Sequence, residues 1–85
     1  MKLIAVVTDV PIEDKELFEP VEKFFRLIQT KHKSAIYGID YKDVDGQHTI
    51  FYIYVMKCKN SVWKAIIKAL DEAKKFFVIE YKTFD

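Results

Sequence analysis

The chain has 85 residues, of which 51 % are hydrophobic and 15 % aromatic, and its formal net charge is +1. This composition lies outside the disordered class and suits one folded domain, 1–85, while the near-zero charge excludes a global field of the kind that draws proteins to nucleic acid or membranes. Only one of the 14 basic residues, Arg26, is arginine, so bidentate guanidinium reading of phosphates or guanines is scarcely available and sequence-specific DNA recognition is disfavoured.

Cys58 is the sole cysteine. It leaves no intrachain disulfide, zinc-ligand pattern or paired redox motif, which fits a reducing, cytoplasmic setting and predicts no cofactor. No apolar run reaches the roughly 18 residues that a membrane span requires, and the apolar run Leu3 to Val7 after Met1-Lys2 is too short for the apolar segment of a secretory leader. No membrane partner is expected.

Lys2 to Thr8 is rich in Val and Ile and reads as a first strand, buried on both sides and ended by Asp9-Val10-Pro11. From about Asp14 to Lys31, Leu17, Val21, Phe24, Phe25 and Ile28 recur at helical spacing. Pro20 lacks an amide donor and crowds the preceding turn, so the helix is expected either to begin near Phe18 or to kink there.

The runs Ala35 to Val44 and Gln47 to Met56 flank Asp45-Gly46, the strongest short-range hairpin signal, read as a two-residue type I′ turn that fixes the register with Val44 opposite Gln47. That turn predicts the pairs Tyr41/Ile50, Ile39/Tyr52 and Tyr37/Tyr54 on one face, with Asp40/Phe51, Gly38/Ile53 and Ile36/Val55 on the other. Asn60 or Ser61 is expected to cap a second helix carrying Val62, Ile66, Ala69, Leu70 and Ala73 on its apolar face. A last strand is expected from about Phe76 to Thr83.

The predicted order βαββαβ is the split-βαβ, ferredoxin-like α+β arrangement: a four-stranded antiparallel sheet in the order 4-1-3-2 with both helices on one face. Phe51, Ile53, Val55, Ile36 and Gly38 would face the helices. Tyr37, Ile39, Tyr41, Ile50, Tyr52 and Tyr54 would then lie on the open face, which is too apolar for plain solvent. A homodimer through this face is the favoured cover, since tyrosine brings large apolar area and can leave its hydroxyl at a wet rim. Another protein partner would meet the same requirement. Catalysis is not expected.

Two resemblances bear on the alternatives. The predicted topology with Tyr52 and Tyr54 on a central strand resembles RNA-recognition-motif domains, which implies single-stranded nucleic acid stacking on that face; the family's Gly- and aromatic-rich signature is absent from His48 to Met56. Thr8-Asp9-Val10-Pro11 after an apolar strand is similar to the corresponding stretch of small ferredoxin-like CRISPR-associated nuclease and integration subunits, which implies a metal-binding aspartate at Asp9. His48 and Asp45 would be its nearest candidate co-ligands.

In this topology one end of the sheet collects Asp9, Glu13, Asp14, Asp43 and Asp45. The other end collects basic residues around the start of the second helix. Lys31, Lys33, Lys57, Lys59, Asn60, Ser61 and Lys64 form a candidate anion or nucleic-acid contact there, with Lys2 and Lys82 nearby. Cys58 reads as a small hydrophobe, Trp63 as a packing anchor, and Asp40 as a carboxylate at the rim of the helix side. The bias toward Lys, Ile, Phe and Tyr suggests an AT-rich genome and, with the short chain, a viral or archaeal accessory protein.

Overall fold

Alternation of β-branched and polar positions builds the sheet, and helical spacing of aromatic and aliphatic residues builds its cover. The computed structural model describes residues 1–85: β1 (Lys2–Thr8), α1 (Lys15–Lys31), β2 (Ile36–Asp43), β3 (Thr49–Val55), α2 (Asn60–Ala73) and β4 (Ile79–Phe84). The sheet is antiparallel throughout, in the order β2-β3-β1-β4. This is the ferredoxin-like α+β fold, its strand order 4-1-3-2 read from the opposite edge.

The core lies between the helices and one sheet face. Ile4 and Val6 of β1, Phe51, Ile53 and Val55 of β3, and Ile36 and Ile39 of β2 meet Phe18, Val21, Phe25 and Ile28 of α1 and Ile66, Leu70 and Ala73 of α2. Phe51 is its aromatic centre, stacked on Phe25 at 4.5 Å and on Phe18 at 5.8 Å between ring centroids. Burying one such ring stabilises the fold by roughly 1.5–3 kcal/mol before cavity effects.

Asp14 caps α1, accepting the Leu17 amide on Oδ1 at 3.4 Å. Pro20 neither delays the helix to Phe18 nor breaks it, because it stands in the second turn, where its missing donor removes a single intrahelical bond. The apolar stripe is rotated from the expected one: Phe18 is buried while Leu17 is exposed. In α2 the cap is Lys59, not Asn60 or Ser61, and it makes no side-chain capping bond. The last strand starts at Ile79, because Phe76 and Phe77 donate their amides to the Ala73 carbonyl and prolong the helix end as a turn.

The hairpin departs most from expectation. Only Gly46 has positive φ, +83°, whereas a type I′ turn needs it at both central positions. Val44 donates its amide to the His48 carbonyl at 2.9 Å, which leaves a three-residue connection, Asp45-Gly46-Gln47. The extra residue moves the register by one: Asp43 pairs with Thr49, Lys42 with Ile50, Tyr41 with Phe51, Asp40 with Tyr52 and Ile39 with Ile53. A second irregularity at Tyr37 reverses the shift, so Ile36 still pairs with Val55.

These two one-residue displacements cancel at the strand start and invert every pair between them. The physical gain is direct. The two-residue turn would have aimed the Asp40 carboxylate at the apolar core; the observed register exposes Asp40 and buries Ile39 instead.

Candidate functional site

The open face is made of three rows that run across all four strands. Gly38, Tyr54, Leu3 and Phe84 form the first; Asp40, Tyr52, Ala5 and Lys82 the second; Lys42, Ile50, Val7 and Glu80 the third. Of the six residues expected on this face, Ile50, Tyr52, Tyr54 and Tyr37 are there. Ile39 and Tyr41 are not. The register displacement turns both toward the helices, where Ile39 is 8 % exposed and the Tyr41 ring contacts Phe18 at 5.1 Å and Phe51 at 5.4 Å. Gly38 moves the opposite way, from the expected helix side to a place beside the Tyr54 ring.

Relief on the face is uneven. On the β2–β3 half, Tyr52 and Tyr54 stand up, and Tyr37, exposed at the irregularity of β2, meets Tyr54 edge-on at 6.1 Å. Lys42 Nζ lies 5.8 Å from the centre of the Tyr52 ring. On the β1–β4 half, the small side chain of Ala5 leaves a shallow hollow of about 160 Å³ bordered by Val7, Glu80, Lys82 and Phe84. β1 is therefore buried on one side only: Ile4, Val6 and Thr8 are buried, Leu3 and Ala5 are partly exposed and Val7 is exposed.

The basic residues do not converge on one patch. Lys57 and Asn60 line a cleft of about 230 Å³ with Met1, Lys2, Cys58 and Trp63, whose indole carries Lys2 Nζ at 4.3 Å. Lys64 and Asn60 border a second depression along α2, and Lys31 a third between the helices. Lys33 lies in the α1–β2 turn, and Lys59 and Ser61 sit exposed at the start of α2. Lys82 belongs to the second row of the open face, away from this end. Cys58 is a free thiol packed partly against the core, as is Trp63.

At the acidic end the chemistry is local to the turn. Asp45 accepts the Gln47 and His48 amides at 2.9 and 2.8 Å, and its carboxylate lies 2.8 Å from His48 Nδ1. The backbone bond from Gln47 and the bond from the His48 side chain hold its carboxyl below the ordinary value. Asp43 accepts the Gly46 amide. No three His, Cys, Asp or Glu side chains gather closely enough to share a metal ion, so Asp9 does not join Asp45 and His48 in a site.

The segment Thr8–Pro11 is instead organised by two buried threonines. Thr8 Oγ1 donates to the Thr49 carbonyl at 3.0 Å, Thr49 Oγ1 donates to the Val10 carbonyl at 2.7 Å, and the Val10 amide donates to Thr8 Oγ1 at 3.4 Å. Burying these hydroxyls without partners would cost on the order of 1–3 kcal/mol each. The feature least visible beforehand is the charge at the two edges of the open face, because each edge strand shows its polarity only once the register is known.

No helix is long and apolar enough to cross a membrane. No protein-family model and no curated protein matches the chain. Among solved structures, it is similar to the de novo designed protein Ferredog-Diesel, with a TM-score of 0.66 and 14 % identity over 100 % of this chain and 85 % of that one. It is also similar to a PII-like signaling protein from Thermus thermophilus, with a TM-score of 0.57 and 16 % identity over 98 % of this chain and 82 % of that one. At these identities the likeness is one of fold.

Proposed function

We propose that this protein is a small non-enzymatic interaction module that works as a homodimer through the open face of its sheet. The observation that carries this reading is the pairing of a tyrosine ridge with a hollow on one unpartnered surface, with Tyr37, Val7 and Phe84 exposed at 65 %, 41 % and 50 %. Four strands and three rows span on the order of 400 Å² in plan, at the limit of what monomers commonly leave bare. Sheet-on-sheet packing of two copies would bury on the order of 1,000 Å² in total, which suits a reversible dimer with a dissociation constant in the micromolar range. The PII-like neighbour supports an interaction role at the level of fold.

Stacking of single-stranded nucleic acid on the same rings is the competing use of this face. Asp40 and Glu80 stand within it beside Lys42 and Lys82, so the face offers no net positive charge to a phosphate backbone. A metal-dependent nuclease at Asp9 gains no support from the dispersed carboxylates. The basic end, from Lys57 to Lys64, would serve as a secondary contact. The setting we propose is the cytoplasm, and the Lys-, Ile- and Tyr-rich composition fits an accessory protein of a virus or archaeon.

Sedimentation equilibrium of the wild type and of Tyr52→Lys tests the reading. The wild type is expected to shift from monomer to dimer with concentration. The variant should raise the dissociation constant on the order of 100-fold with unchanged circular dichroism. A wild type that stays monomeric up to millimolar concentration would overturn this reading, and one that also binds single-stranded RNA at physiological salt, with the binding lost in Tyr52→Lys, would replace it with the other.

A further inference from the structure

Reading the three rows from one edge to the other shows an inverted symmetry of size and charge. In the second row Asp40 stands at the β2 edge and Lys82 at the β4 edge; in the third row Lys42 stands at the β2 edge and Glu80 at the β4 edge. Size follows the same rule at two places, while Tyr54/Leu3 and Ile50/Val7 pair apolar with apolar. Bulky Tyr52 is matched across the sheet's midline by Ala5, and Gly38 by Phe84.

A face-to-face pair of sheets related by a two-fold axis has two in-plane choices. With the axis along the strands, each row lies over the same row of the second copy, reversed from edge to edge. Asp40 then faces Lys82 of the other copy, Lys42 faces Glu80, Tyr52 enters the hollow over Ala5, and Gly38 makes room for Phe84. With the axis across the strands, β2 lies over β2: a centre between the second and third rows pairs Asp40 with Lys42 and Lys82 with Glu80 but sets bulky Tyr52 against Ile50 and leaves Ala5 facing Val7, while a centre on the second row sets Asp40 against Asp40 and Lys82 against Lys82. Like charges placed opposite one another in an interface are strongly disfavoured.

Resting on the homodimer reading above, we infer that the occupant of the open face is a second copy of this chain whose two-fold axis runs parallel to the strands, with Asp40–Lys82 and Lys42–Glu80 pairs at its rim and Tyr52 seated over Ala5. The angle of about 30° between aligned sheets moves the edges by a few ångströms, which a lysine side chain can span. Within one copy Asp40 and Lys82 are three strand spacings apart, roughly 14 Å, beyond a Debye length at physiological salt. Each of these charges has an opposite neighbour two residues along its own strand, Lys42 for Asp40 and Glu80 for Lys82, so it is the direct Asp40–Lys82 contact that requires a second copy.

Charge reversal measured by sedimentation equilibrium tests the arrangement. Asp40→Lys alone, and Lys82→Asp alone, each create two like-charge contacts and should weaken the dimer on the order of 10- to 100-fold at low salt, with the effect shrinking as salt rises. The double variant Asp40→Lys/Lys82→Asp restores opposite charges and should return the dissociation constant to within about threefold of the wild type. If Tyr52→Lys dissociates the dimer while Asp40→Lys leaves it unchanged, the face is an interface but this axis is wrong. If the double variant is as weak as the single ones, the pairing falls as well. A wild type that never dimerises overturns both the arrangement and the reading beneath it.

Discussion

The two faces of the sheet are built from alternate residues of the same strands, yet they solve opposite problems. On the helix side, Phe51, Ile53 and Val55 are 1 % exposed or less because α1 and α2 bring aromatic and aliphatic stripes down onto them. On the open side, Ile50, Tyr52 and Tyr54, one residue away in each case, remain partly exposed. Covering one face is a folding problem, which the chain meets with its own helices. Covering the other is an association problem, met by shape and charge at the surface.

The comparison is broken most forcefully at neighbouring residues of β3. Phe51→Ala removes the ring that packs against Phe18, Phe25 and Tyr41 and should cost about 3–5 kcal/mol in urea unfolding. Tyr52→Ala, measured at a concentration where the protein is monomeric, should cost less than about 1 kcal/mol. Equal losses at the two positions would mean that both faces contribute to the monomer's core.

A smaller effect is expected where the faces are assigned. Gly46→Ala places a side chain in open space but at φ +83°, so the cost is backbone strain alone, about 1 kcal/mol. NMR contacts across the hairpin should still pair Asp40 with Tyr52. Loss of that pairing would mean that the turn alone, rather than burial of Ile39 and exposure of Asp40, sets the register.

The last effect, confined to high pH and absent near neutrality, concerns the tie between β4 and α2. Tyr81 donates its hydroxyl to Asp71 Oδ1 at 2.5 Å, and this bond, reinforced by partial burial and the nearby negative charge, raises its pKa from 10.0 to about 12. A tyrosine whose pKa is raised in the fold contributes stability that is fully present below pH 10 and is lost as pH climbs toward about 12. Absorbance titration should therefore show an ionisation near pH 12 that disappears in Tyr81→Phe. The wild type should also lose more stability than the variant between pH 10 and 12.

Much of the fold was legible because it rests on local rules. The Val- and Ile-rich first strand and the apolar stripe of α2 placed those elements to within a residue or two, and the βαββαβ order then allowed few topologies. Alternation along β3 assigned its faces correctly. The misplaced features have physical causes. Leu17 and Phe18 are both apolar, so spacing alone could not say which of them faces the core. Phe76 to Val78 suit a strand as well as the turn they form, and Phe77 is drawn in by packing against Phe24 at 5.7 Å.

The hairpin marks the limit most clearly. Asp45-Gly46 announced a turn, but a connection of two residues and one of three carry the same pair, and they place opposite faces of β2 toward the helices. Burial decided between them. The three-residue connection and the irregularity at Tyr37 together bury Ile36 and Ile39 and release Asp40 and Lys42 to water. Periodicity and turn chemistry act within a few residues, so they were enough to specify which elements form and how they connect. Which charges stand together on the open face depended on the assembled sheet, because Asp40 and Lys82 belong to opposite edge strands and share a row solely through the register of the two strands between them.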